Sequence, residues 1–468
     1  MQSIRSDARG GERKRQRPLA PPLPLSAILL LAAIAATAAA PIGAAAGPAP
    51  AAPATAIGTP TFRYDERIPL SRDQHEKAVS AVRHIYNFEF EQALSEANAL
   101  HAANPKSPLG DLLLAEAYWW QAINNLDRPE LVASFRDHAS AGIAAAEKLL
   151  ERDERDPFAL FTLGGLNGRK AILDGLTGKR LESVNTAVTA RKYLRLLNRH
   201  HPDMEDAYFG LGVYDYFAAE LPWFARLLSR FLLGLAGDKE RGLAEMERAA
   251  RGGLFTQVDA RVFLSIAYLD TEGRYEEALA ILRGLHDTYP RNLDFYGMLG
   301  FAYRTQKDWE NAIAILEEMV EKAKTEPVLG RQSREMTTYF LANTYKVAGL
   351  FGRAIPLLDA IVTDPNPNTQ WLTATALIER GRINDAEGRR MAAIADYQRV
   401  LALKDFRGSH DKAKSHLATA YVVPAEERSH YVTAIGEGAA GGGASGTGGG
   451  TGKVTAPAGT ENRASDLR

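Results

Sequence analysis

The chain has 468 residues, of which 46% are hydrophobic and 24% charged, and its net charge is −1. These are globular proportions, and the length allows two or three domains or one extended array. A mildly acidic body without a basic stripe argues against a nucleic-acid partner, and the absence of cysteine excludes disulfides, thiolate nucleophiles, Cys-ligated zinc and a lipidated N-terminal cysteine.

Residues 1–46 have the parts of an export signal. Arg5, Arg9, Arg13, Lys14, Arg15 and Arg17 against Asp7 and Glu12 leave this stretch at +4, ahead of the apolar run PLPLSAILLLAAIAATAAA and the small residues PIGAAAGPAP. Cleavage after Ala46 fits, with Ala44 and Ala46 in the small-residue positions; an uncleaved N-terminal anchor and a cytosolic protein with an odd tail are the other readings. The expected location is periplasmic or envelope-associated. Residues 47–70, rich in Ala, Pro and Thr, read as a linker. At the far end, residues 424–468 read as a disordered tail, with ten glycines among the seventeen residues from Gly436 to Gly452.

Between these ends the periodicity is helical, and prolines and glycines mark breaks rather than strands. Residues 71–258 read as a divergent helical-repeat region. It opens with IYNFEFEQALSEANALHAANP, which offers Phe90, Ala93, Ala97 and Pro105. Within it, LPWFARLLSRFLLGLAG (Leu221–Gly237) places Phe224, Leu227, Leu228, Phe231, Leu232 and Leu235 on one helical face and Arg226 and Arg230 on the other. A helix of about fifteen residues rises about 22 Å, short of the roughly 30 Å hydrocarbon core, so it does not span a bilayer. It either packs inside the array or lies at a lipid or partner surface; Trp223 and Leu233, off the main face, keep the second reading open.

Residues 259–423 carry the clearest repeats. Segments 295–321 and 337–363 align Leu299 with Leu341, Gly300 with Ala342, Tyr303 with Tyr345, Trp309 with Phe351, Ala312 with Ala354 and Leu316 with Leu358. The preceding segment repeats the order in Leu264, Tyr268, Tyr275, Ala278, Leu282, Leu285 and Pro290, and a weaker copy follows in Gly381, Gly388, Ala393, Tyr397 and Val400. Leucine, a small residue and tyrosine at i, i+1 and i+4 make one helix face; after a short turn, an aromatic and then alanine let a second helix pack closely on the first. Each pair leaves an apolar flank that the next pair covers, so such units stack.

These repeats resemble tetratricopeptide repeats (TPR), whose period is about 34 residues. The intervening region, DAYFGLGVYDYFAAELPWFARLLSRFLLGLAGDKERGLAEMERAARGG, is similar to exported bacterial TPR proteins distantly related to a eukaryotic TPR family linked to inclusion-body clearance. The resemblance implies an all-α, right-handed superhelical solenoid of antiparallel helix pairs that scaffolds protein–protein or peptide contacts. By the family pattern, the first helix of each pair lines a concave groove, and Phe301, Arg304, Tyr339, Asn343 and Lys346 would face it. Arg, Lys and Asn there would grip a peptide's carboxylates or backbone, with Phe and Tyr supplying apolar contact. The alternative is a membrane-surface protein that contacts lipid through its N-terminal segment or the Leu221–Gly237 helix.

Catalytic signatures are weak. The histidines show neither HExxH nor an i, i+4 pair, and the adjacent His200 and His201 point about 100° apart on a helix, reading as part of a turn. GGLNGRK (164–170) and GLTGKR (175–180) lack phosphate-loop spacing and read as helix-break glycines, and GLG (210–212) lacks the third glycine of a dinucleotide fold. Glu276 with Glu277, and Glu317 with Glu318, read as solvent-facing charge on second helices. No G-x-S-x-G elbow is present. The expectation is a non-enzymatic protein with no metal site and no cofactor.

Overall fold

The computed structural model describes residues 70–220 and 237–428, together with Ile57, Pro60 and Phe62. The export segment, most of the linker, Leu221–Gly237 apart from Gly237, and the tail from 429 onward lie outside the described residues. The described chain is all-α, with no strand.

Its helices form consecutive antiparallel pairs. These are α1 (Arg72–Tyr86) with α2 (Phe90–Ala103), α3 (Leu109–Asn124) with α4 (Pro129–Leu150), α5 (Pro157–Leu176) with α6 (Arg180–His200), and α7 (Asp206–Ala219) with α8 (Lys239–Gly252). They continue as α9 (Gln257–Ala267) with α10 (Tyr275–Thr288), α11 (Leu293–Thr305) with α12 (Trp309–Thr325), α13 (Arg331–Val347) with α14 (Phe351–Thr363), and α15 (Gln370–Ala386) with α16 (Arg390–Leu401). Helix α17 (Ser409–Ala418) follows alone, and a single turn, Ala425–Arg428, ends the described chain. A capping box opens the array: Ser71 Oγ accepts from the Gln74 N–H, and Gln74 Oε1 from that of Ser71.

The turn inside most pairs has one design. Phe88, Gly178, Lys307, Gly349 and Gly388 all adopt left-handed φ, between 50° and 90°. The next residue donates its N–H to a carbonyl five positions back: Glu89 to His84 at 2.9 Å, Lys179 to Asp174 at 2.7 Å, Asp308 to Tyr303 at 3.0 Å, Leu350 to Tyr345 at 2.8 Å and Arg389 to Asn384 at 2.7 Å. The α9–α10 pair departs from this. Its tyrosine-to-aromatic spacing, Tyr268 to Tyr275, is one residue longer than Tyr303 to Trp309, and the extra residue is absorbed as a π-turn over Tyr268–Glu272 before Gly273, with Arg274 donating to the Tyr268 carbonyl.

Small residues sit where helices cross. A Cβ on Gly300 would meet Leu316 Cδ2 at 2.6 Å, and one on Gly212 would meet the Gly242 carbonyl at 2.7 Å, so α7 and α8 touch backbone to backbone. The recurring tyrosine then joins each pair to the one before it. Tyr268 donates to Glu247 of α8 at 2.7 Å, Tyr303 accepts from Arg283 of α10 at 3.0 Å, and Tyr345 bonds Glu317 of α12. Glu317 therefore belongs to an inter-pair contact, which the sequence reading of it as plain surface charge had missed. The GGLNGRK glycines are likewise corrected: they lie inside α5, where Gly164 admits the Leu194 side chain, and only Gly178 of the second string sits in a turn. Among the described residues no helix is long and apolar enough to cross a membrane.

Candidate binding face

The first helices of the pairs are the buried layer. Every residue of α9 is buried, as is nearly all of α11. The C-terminal ends of α1 and α3 pack against the later part of this layer. Asn292 donates to the Tyr86 carbonyl at 2.8 Å, the Arg291 N–H to Asn87 Oδ1 at 3.1 Å, Asn124 to Asp294 at 3.2 Å and Asn125 to the Val328 carbonyl at 2.9 Å, while Ser333 donates to the Asn124 carbonyl. The Tyr86 ring lies 5.4 Å from Trp120 and 5.8 Å from Tyr289.

At the centre of this junction Arg169 of α5 is only 7% exposed. It donates to Glu116 of α3 at 2.9 and 3.1 Å and to Asp259 of α9 at 2.5 Å, and its guanidinium lies 4.1 Å from the Trp119 ring. Burial, with Asp259 adding to it, pushes the Tyr86 hydroxyl well above its ordinary pKa. Convergent polar groups of this kind can signal catalysis, but both carboxylates are engaged by one fixed cation. The cluster reads as an electrostatic clamp between α3, α5 and α9.

The five groove candidates lie further along, on α11 and α13. Phe301, Arg304, Tyr339 and Asn343 are each under 10% exposed, so the structure places them within the packed layer rather than on an open surface. Arg304 and Asn343 meet directly: Arg304 donates to Asn343 Oδ1 at 3.1 Å and to Thr344 Oγ1 at 2.8 Å, with its guanidinium 5.2 Å from the Phe340 ring. Burial pushes the Arg304 pKa down to about 10, opposed by Tyr339. No ion pair joins Arg304 to a carboxylate among the described residues, and its Nε has no hydrogen-bond partner. Lys346 stands apart from this group and pairs with Glu379 of α15 at 3.0 Å.

Thr344, Phe340, Glu379, Arg382 and Tyr421 complete the face and were not found from sequence. Burial alone would raise the Glu379 pKa, but Lys346 and Arg382 outweigh it and hold the carboxyl below its ordinary value. Arg382 donates to Glu379 at 2.9 Å and lies 5.3 Å from the Tyr421 ring, which also lies 5.8 Å from the Lys346 ammonium. The one available signal was the i, i+3 spacing of Glu379 and Arg382. The strip from α11 to α15 thus carries three cations, Arg304, Lys346 and Arg382, of which the last two pair with Glu379. Among the described residues no group of three or more His, Asp or Glu side chains could hold a metal ion.

Residues 271–330, from the π-turn past the end of α12, match the tetratricopeptide-repeat family. Among solved structures, human IFIT1 bound to PPP-AAAA is similar at 15% identity, covering 74% of this chain and 85% of that one with a TM-score of 0.38. IFIT1 bound to m7Gppp-AAAA gives 14% identity, 76% and 86% coverage and a TM-score of 0.39. A tetratricopeptide repeat protein from Parabacteroides merdae gives 11% identity, 74% and 98% coverage and a TM-score of 0.27. No curated protein matches the sequence. The match over 271–330 places a tetratricopeptide-repeat segment within an all-α, solenoid-type array of helix pairs.

Proposed function

We propose that this protein is an exported, non-enzymatic scaffold of the cell envelope that binds an acidic peptide segment or a C-terminal carboxylate along the α11–α13–α15 strip. The observation that carries the reading is Arg304, a buried guanidinium held by two neutral side chains and, among the described residues, left without a carboxylate. Burying a cation without a counter-charge is costly, and a ligand carboxylate would offset that cost with charge-assisted hydrogen bonds. Lys346 and Arg382 extend the positive potential beyond Arg304. Tyr421 lies against both. Export rests on the basic-then-apolar segment at 1–46.

Selection from a random heptapeptide library with a free C-terminus tests this. Enrichment of Asp, Glu or the free terminus is expected, and its loss on Arg304→Met with the fold intact. Unbiased or basic enrichment would overturn the proposal, as would selective retention of a 5′-triphosphorylated oligonucleotide in place of peptides.

A further inference from the structure

A cavity of about 550 Å³ opens between α14, α15 and α16, sharing no residue with the Arg304 strip. Its α14 wall is Gly352, Ile355, Pro356 and Asp359, one face of the helix by spacing. Ala392 and Ala395 of α16 form an opposite apolar wall, and Arg380 and Asp396 lie deeper.

The polar groups differ in how fully they are used. Asp396, 2% exposed, is gripped by Arg380, whose Nε donates to it at 3.0 Å, and by Asn384 at 3.3 Å. Arg380 also donates to Asp359 Oδ1 at 2.6 Å. Asp359 stays 47% exposed at its side chain, and no protein donor engages its second oxygen among the described residues. Arg389 is held by Asn384 at 2.9 Å and by Glu387. Three carboxylates, Asp359, Glu387 and Asp396, therefore face two guanidiniums, and the lining carries a net negative charge.

Pro356 supplies the second feature. It sits inside α14 and has no N–H to return to the carbonyl of Gly352, four residues earlier on the same face. Nothing lies within 4 Å of where a Gly352 Cβ would be, so this wall is open. The Gly352 carbonyl points toward the C-terminal end of α14, while the Asp359 side chain leans back toward the N-terminal end. Both acceptors therefore lie along the one helix face that carries the apolar proline ring.

We propose that this cavity takes a basic side chain, arginine or lysine, of a peptide partner. The aliphatic stem lies against Ile355, Pro356, Ala392 and Ala395, and the cationic head donates to Asp359 and to the Gly352 carbonyl. The site is independent of the anion-binding reading of Arg304, and either can fail without the other.

Titration of the full chain with N-acetyl-arginine amide, followed at the backbone amides of Gly352, Ala392 and Ala395 by NMR, tests it. Saturable shifts with a millimolar Kd are expected. Asp359→Asn, which leaves Arg380 its Asp396 partner, should weaken binding at least about fivefold, the loss of one charge-assisted contact. Pro356→Ala, which returns an N–H to the Gly352 carbonyl, should also weaken it without lowering the melting temperature. The neutral N-acetyl-citrulline amide should not bind. Absence of saturable shifts, equal binding of the citrulline compound, or stronger response to N-acetyl-glutamate amide would each overturn the proposal. Unchanged binding in Pro356→Ala would overturn the carbonyl's part in it.

Discussion

Replacing Arg169 by methionine removes the cation at the centre of the α3–α5–α9 junction while keeping most of the side-chain volume. Asp259 and Glu116, with side chains 4% and 20% exposed, then face each other without a counter-charge. Uncovering a buried charge in this way costs about 3–5 kcal/mol, less whatever protonation of one carboxylate recovers. Loss of the Trp119 stacking contact adds about 1 kcal/mol. At about 2 °C per kcal/mol for a chain of this size, the melting temperature should fall by roughly 8–12 °C before any recovery by protonation, read by circular dichroism at pH 7. The fall should be smaller at pH 5, where one carboxylate is neutralised more easily. Adding Glu116→Gln and Asp259→Asn should restore most of the loss, because no buried charge is then left alone. A fall under about 2 °C, or an equal fall in the triple variant, would refute the clamp.

Arg304→Met should behave in the opposite way: losing hydrogen bonds to Asn343 and Thr344 is offset by relief of a buried, uncompensated guanidinium, so stability at pH 7 should stay within about 1 kcal/mol of wild type or rise. A loss above about 2 kcal/mol in urea unfolding would make Arg304 a structural residue. Glu245, pushed up to about 7 by burial and then by Asp215, titrates higher folded than unfolded. Its contribution is therefore fully present below about pH 4.5 and lost as pH rises through 7. Glu245→Gln should exceed wild type by about 1–2 kcal/mol at pH 8, after allowance for partial solvent screening, and match it at pH 4.5. A constant difference across that window would contradict the assignment. Lys307 is exposed with φ 62°, so Lys307→Gly should stabilise by about 0.5–1 kcal/mol in the same assay, and a destabilisation would show that the turn is not strained.

Much of the paired-helix fold is legible in the sequence because close packing leaves a local mark. Gly300 and Gly381 stand where Leu316 and Tyr397 press against the preceding helix, and Tyr268, Tyr303 and Tyr345 recur because each reaches the previous pair. Even the π-turn leaves a trace, in the longer spacing from Tyr268 to Tyr275. The face was less legible. Residues on one helix, such as Asn343 and Lys346, follow from periodicity, but their partners do not. Glu379 comes from the next pair and Tyr421 from the segment after α17, and the packing of Asn87, Asn124 and Asn125 against α11 and the start of α13 spans about two hundred residues. No local pattern encodes such contacts. Repeat periodicity locates the inner layer; what the chain itself lays against that layer depends on how far it curls, which side-chain spacing does not report.

The most direct measurement is fluorescence anisotropy of a labelled peptide ending in acidic residues, titrated with wild-type protein and with Arg304→Met, and repeated with the peptide amidated at its C-terminus. Saturable binding that weakens at least about 30-fold in the variant, corresponding to about 2 kcal/mol, is the expected result, with a steep fall at higher salt. Equal affinity for wild type and Arg304→Met, with both folded, would contradict the assignment of the α11–α13–α15 strip as the binding face.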